Sequence, residues 1–152
     1  MQKITPFLWF DDNAEEAIHF YVSLFKNSRV VSERRREPGG PLFTANFVLD
    51  GQEFMALNGG PTYQLTEAFS LFVRCASQGE VDELWEKLAR GGTPLRCGWL
   101  KDRFGLTWQI VPAELGDLLG DPDPARAGRV REAMLQMTKL DLEGLRRAHA
   151  GK

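Results

Sequence analysis

Between residues 43 and 49 the side chains alternate one by one. Phe43, Ala45, Phe47 and Leu49 fall on one side of an extended chain, and Thr44, Asn46 and Val48 on the other. A period of two predicts a strand over Phe43–Asp50 with one buried face. Over Asn13–Phe25 the period lengthens to that of a helix. Ala14, Ala17, Ile18, Tyr21, Leu24 and Phe25 make the apolar stripe, and Glu15, Glu16, His19 and Ser23 the polar side. Ile4–Phe10 and Val30–Arg36 read as strands, and Pro38-Gly39-Gly40-Pro41 as a turn. Asp50-Gly51 is a hairpin signal returning the chain as Glu53–Leu57, and Asn58–Thr66 reads as a linker.

The remainder repeats the plan. Phe69–Cys75 predicts a strand, and Glu80–Arg90 a helix burying Val81, Leu84, Trp85 and Leu88, closed by Gly91-Gly92. Pro94–Cys97 is a short strand, and Trp99–Arg103 with Leu106–Val111 a hairpin turning near Phe104-Gly105. Residues 7–25 and 71–89 share one layout at a shift of 64, with capping boxes Asn13-x-x-Glu16 and Ser77-x-x-Glu80 and bulky pairs Phe20-Tyr21 and Leu84-Trp85. Beyond Pro112 the pattern is helical only. One helix starts at Asp123-Pro124, with Val130, Met134 and Met137 on a stripe, and a shorter one spans Asp141–His149. The expectation is a single α+β domain. It comprises two βαβββ modules (about 3–58 and 68–112) forming a curved, mostly antiparallel sheet, and a helical extension over about 113–152 that packs outside the sheet or against a second subunit.

Composition narrows the function classes. The chain has 152 residues, 43% of them apolar, enough for a real core. Its formal charge of −2 gives no global attraction to nucleic acid or anionic membrane. The basic run Arg34-Arg35-Arg36 is flanked by Glu33 and Glu37 and reads as a solvated face. No leader is visible, and no apolar run reaches membrane-spanning length. Cys75 and Cys97 read as reduced thiols, so a cytoplasmic protein is expected.

The paired modules resemble the vicinal-oxygen-chelate superfamily, which includes glyoxalase I, extradiol dioxygenases and bleomycin-resistance proteins. The segment Phe7-Leu8-Trp9-Phe10-Asp11…Ala14-Glu15-Glu16-Ala17…Phe20-Tyr21 is similar to the start of the PhnB-like family, which also carries the label demethylubiquinone methyltransferase. The run from Cys97 through Trp99, Lys101, Asp102 and Gln109 to Pro112 is the more specific match, and Met134, Met137, Lys139 and Asp141 resemble that family's ending. The resemblance implies a homodimer. In the superfamily it also implies a divalent metal held by one His or Glu from each of four strands. The corresponding positions here read as Pro6, Ala56, Ser70 and Gln109, a set too weakly donating to grip a cation. His19 lies on the polar side of the first helix and His149 near the C-terminus. No metal or other cofactor is therefore expected. No G-x-G-x-x-G turn supports a methyl-donor site of the Rossmann type.

Strand parity then predicts the lining of a cleft shared by the modules. Ser70, Phe72 and Arg74 face it, with Leu8 and Phe10 from the first strand, Phe54 and Asn58 from the fourth, Thr107 and Gln109 from the last, and Trp99 as a stacking wall. Such an apolar bowl with scattered polar groups suits a small organic molecule. Tyr21 and Trp85 read as paired core anchors, and Lys101 with Asp102 as an exposed ion pair beside a turn. Three roles follow: a metal-free binding protein, an enzyme with a non-standard site in which Arg74 and Gln109 polarise a carbonyl or oxyanion, and a dimeric scaffold whose core is filled.

Overall fold

The computed structural model describes residues 2–152, which divide into two compact units meeting at Leu65/Thr66, inside the expected linker. The first contains β1 (Phe7–Phe10), α1 (Ala14–Leu24), β2 (Arg29–Arg35), β3 (Leu42–Leu49) and β4 (Gln52–Asn58). These strands form a sheet in the order β1-β4-β3-β2, parallel at β1–β4 and antiparallel elsewhere. Asp50 and Gly51 close the β3–β4 hairpin, both with positive φ (46° and 81°), as a type I′ turn requires. Helix α1 buries Ala14, Ala17, Ile18 and Tyr21, as its stripe predicts.

The second unit repeats this with β5 (Ser70–Cys75), α2 (Gln78–Ala89), β6 (Thr93–Pro94), β7 (Trp99–Lys101) and β8 (Thr107–Pro112), in the order β5-β8-β7-β6. The expected strand over Pro94–Cys97 shrinks to Thr93–Pro94, because Cys97 and Gly98 both take positive φ (60° and 83°). Their amides bond the carbonyls of Met137 and Thr138 instead of a strand. A Cβ on Gly98 would lie 2.9 Å from Leu140, so this position needs glycine for space as well as for conformation. Both βαβββ modules are present, as expected, and each carries its own four-stranded mixed sheet.

The tail forms α3 (Glu114–Leu119), which the sequence pattern missed, α4 (Pro124–Leu135) and α5 (Leu142–Ala150). They pack around Val111, Leu115, Val130, Leu140 and Leu145, on the second unit's own sheet. Gln78 at the start of α2 ties the tail down at both its amide atoms: Nε2 donates to the Leu140 carbonyl and Oε1 accepts from the Leu142 amide.

The two expected capping boxes behave differently. Ser77 caps α2, its Oγ accepting from the Glu80 amide, while Glu80 accepts from the Ala76 amide. Asn13 makes no such bond. Its place is taken from a distance by Asn58 of β4, whose Oδ1 accepts from the Ala14 amide at 2.8 Å. Trp85 is half-buried, whereas Trp108 of β8 is the fully buried indole.

Candidate functional site

Six of the ten expected lining residues come together on one face of the second sheet. Helix α2 covers the opposite face, with Cys75, Trp108 and Ile110 fully buried; burial pushes the Cys75 thiol up to about 12, which keeps it an inert core group. The other face, free except where the tail helices pack on it at Val111, carries two rows of side chains set by strand register. In one row Trp99 of β7, Gln109 of β8 and Phe72 of β5 lie side by side. In the adjacent row stand Lys101, Thr107 and Ser70. Gln109 Nε2 donates to Ser70 Oγ at 2.9 Å, tying the rows together. Arg74 lies one row further along, opposite Val111, with its guanidinium 5.2 Å from the centre of the Phe72 ring. Phe72 is 48% exposed, a large apolar surface on β5, an edge strand of its sheet.

The other four, Leu8, Phe10, Phe54 and Asn58, lie on the helix-covered face of the first sheet. Leu8, Phe10 and Phe54 are buried, and Phe54 stacks on Phe47. Asn58 serves α1 and also donates to the Leu42 carbonyl. Two corner residues, Asp11 and Asp12, separate the buried Phe10 from Asn13, whereas one, Ala76, separates the buried Cys75 from Ser77. The helices therefore repeat at 64 and the strands at one more. A slip of one residue turns every strand side chain over. Ala56, fully buried, and Pro6 leave the free face for the same reason. By register, Met55 rather than Ala56 corresponds to Gln109, and Phe7 and Trp9 rather than Leu8 and Phe10 point to the free face.

That free face of the first unit borders an open groove of about 630 Å³ lined in part by Trp9, Arg36, Phe43 and Leu57. Trp9 is held by its Nε1, which donates to the Gly60 carbonyl, and by an edge contact with Tyr63. The guanidinium of Arg36 sits 4.2 Å over the Phe43 ring. Burial alternation along β1, read without the internal shift, is the signal that would have found Trp9.

The four positions implied for a metal now read Ser70, Gln109, Met55 and, by the same strand shift, Thr5: two hydroxyls, an amide and a thioether, with Ser70 and Gln109 bonded to each other. This set does not fit a divalent transition metal. Among the described residues one group of three potential ligands converges, Glu15, His19 and Glu33, on the surface of the first unit. Arg35 already fills it, its guanidinium 2.9 Å from Glu33 and doubly bonded to Glu15, which holds the Glu15 carboxyl below its usual range.

Asp102 is not the exposed partner of Lys101. It is 2% exposed, and its Oδ1 accepts from the Phe104 and Leu106 amides while Oδ2 accepts from the Trp108 indole. Lys101 pairs instead with Glu67, just before β5. Thr107 between them is fully buried, and its Oγ1 has no hydrogen-bond partner among the described residues.

Comparison with known proteins accords with this architecture. Residues 2–111 match the family of 3-demethylubiquinone-9 3-methyltransferases, a span that ends within β8 and leaves the helical tail outside. A solved PhnB protein from Bacillus cereus, described as a 3-demethylubiquinone-9 3-methyltransferase, is 40% identical over 74% of this chain and 100% of its own, with a TM-score of 0.68. A Pseudomonas aeruginosa protein is 24% identical over 71% of this chain and 95% of its own (TM-score 0.57). The fosfomycin resistance protein FosX of Listeria monocytogenes, solved with Mn(II) and 1S,2S-dihydroxypropylphosphonic acid, shares the fold at 18% identity, 74% and 94% coverage and a TM-score of 0.52. No protein of curated function is similar to this chain. The chain belongs to the PhnB-like 3-demethylubiquinone-9 3-methyltransferase family, built on the vicinal-oxygen-chelate fold.

Proposed function

We propose that this protein binds a small organic molecule without a metal, and that the free face of the second sheet is the binding surface. The observation that carries this reading is the row Trp99–Gln109–Phe72, an amide between two aromatic side chains, with Ser70 and Arg74 beside it. Aromatic walls supply area for a flat ligand, and the amide and hydroxyl orient it. The Gln109–Ser70 bond satisfies both groups in the free protein, so no buried polar atom of this pair is left stranded before a ligand arrives. Homodimerisation belongs to the same proposal, with the exposed Phe7 and Val31 as apolar surface for a second copy.

The family's name raises methyl transfer. The strand–helix corners here are Asp11-Asp12-Asn13 and Ala76-Ser77, without the glycine-rich turn that cradles a nucleotide-like donor. These corners favour binding over that chemistry.

The test is a thermal-shift screen with quinones, aromatic antibiotics and phosphonates. A ligand present at a hundredfold its Kd is expected to stabilise the fold by about 2.7 kcal/mol. Trp99→Ala and Gln109→Leu are expected to remove that shift while leaving the unliganded melting temperature nearly unchanged. A hit whose shift survives both substitutions would place binding elsewhere, and a screen without hits would defeat the proposal.

A further inference from the structure

The row beside the aromatic one has an unusual composition. Lys101, Thr107 and Ser70 stand in register across β7, β8 and β5. Glu67 immediately precedes β5, and Lys101 stands on β7, so their ion pair joins two strands that flank β8. Thr107 of β8 stands in register between them and is fully buried, although Lys101 and Ser70 on either side are partly open. Thr107 Oγ1 is the one buried side-chain polar atom without a partner among the described residues. Such an atom is costly to bury and calls for a reason. A valine would fill the same volume without that cost.

A carboxylate already sits on this row, supplied by the protein itself. Lys101 holds the Glu67 carboxyl below its usual range through a hydrogen bond and its charge. Both side chains are substantially exposed, so the pair is a surface ion pair of small net worth that exchanges readily. We infer that Lys101, Thr107 and Ser70 form an oxyanion subsite that Glu67 occupies from within, and that the ligand of the binding face is a planar aromatic acid.

The reading rests on the proposed binding function and names its ligand class. Successive rows on a strand face are about 7 Å apart. The middle of a fused two-ring system lies closer than that to its own acid group, and the long, flexible Lys101 side chain spans the remainder. Rings set between Trp99 and Phe72 therefore place the acid group on Lys101. There it displaces Glu67 and accepts the Thr107 hydroxyl proton in a charge-assisted bond.

The test compares naphthoate with naphthamide, its neutral near-isostere, by calorimetric or NMR titration of the full chain. The wild type is expected to prefer naphthoate by about fivefold or more. Glu67→Gln removes the internal competitor and is expected to tighten naphthoate by about tenfold, leaving naphthamide unchanged. Lys101→Met is expected to erase the preference. Circular dichroism confirms that each variant is folded. Equal affinities for acid and amide, or a naphthoate affinity that Glu67→Gln does not change, would overturn the subsite and leave the binding function standing. Absence of binding by both probes to the wild type and to Glu67→Gln would overturn both. Phenylphosphonate in place of naphthoate distinguishes a phosphonate from a carboxylate preference.

Discussion

Asp102 shows how much one side chain can organise. Its carboxylate accepts from two turn amides and an indole N–H, the Leu106 amide and the indole in the interior. Removing the carboxylate takes an acceptor from three donors, the Leu106 amide and the Trp108 indole among them buried, so Asp102→Ala is expected to cost about 3 kcal/mol in urea denaturation. Asp102→Asn keeps an acceptor for the amides and sets an NH2 against the Trp108 N–H, and a loss between that of alanine and wild type is expected. Equal stability of Asp102→Ala and wild type would contradict this role. From sequence, Lys101-Asp102 reads as an exposed pair, because adjacent opposite charges beside a turn usually are. Whether the turn amides fold back onto the carboxylate depends on the position of Trp108, which spacing does not encode.

Among the elements, the tail helices are joined by ions as well as by their apolar cluster. Arg146 of α5 grips Glu114 of α3 with two bonds of 2.7 Å and also bonds Glu143. The guanidinium holds the Glu114 carboxyl below its ordinary value of 4.5. Since the folded state releases this proton more readily than the unfolded chain, the pair's contribution is fully present above pH 4.5. It is lost as the pH falls through the lowered folded value. Both groups are largely solvated, so the effect is expected to be small. Glu114→Gln is expected to flatten the fall in melting temperature below that pH relative to wild type, and parallel profiles would show that the pair contributes nothing. The helix α3 itself escaped prediction because Glu114–Leu119 is too short to display a helical period. Helix α1 presents the opposite case: its apolar stripe was plain, while its N-terminal cap came from Asn58, forty-four residues away.

For the molecule as a whole, the donor set makes a prediction about metal. Protein purified without an affinity tag is expected to hold far less than one transition-metal atom per chain, and EDTA to leave its melting temperature unchanged. One tightly held atom per chain, whose removal lowers that temperature, would contradict the proposed metal-free function.

The residue order alone determined the two βαβββ modules, the strand and helix types and the free face of the second sheet. Each rests on local periodicity, turn chemistry or an internal repeat carried by nearby residues. Tertiary structure decided which face of the first sheet is open, because one added corner residue between Phe10 and Asn13 inverts the strand while leaving the helix in step. It also decided the fate of the charges: Arg35 fills the Glu15–His19–Glu33 cluster, and Lys101 turns from its neighbour Asp102 to Glu67. Ion pairs form between groups that folding brings close, and their partners are distant in sequence more often than adjacent.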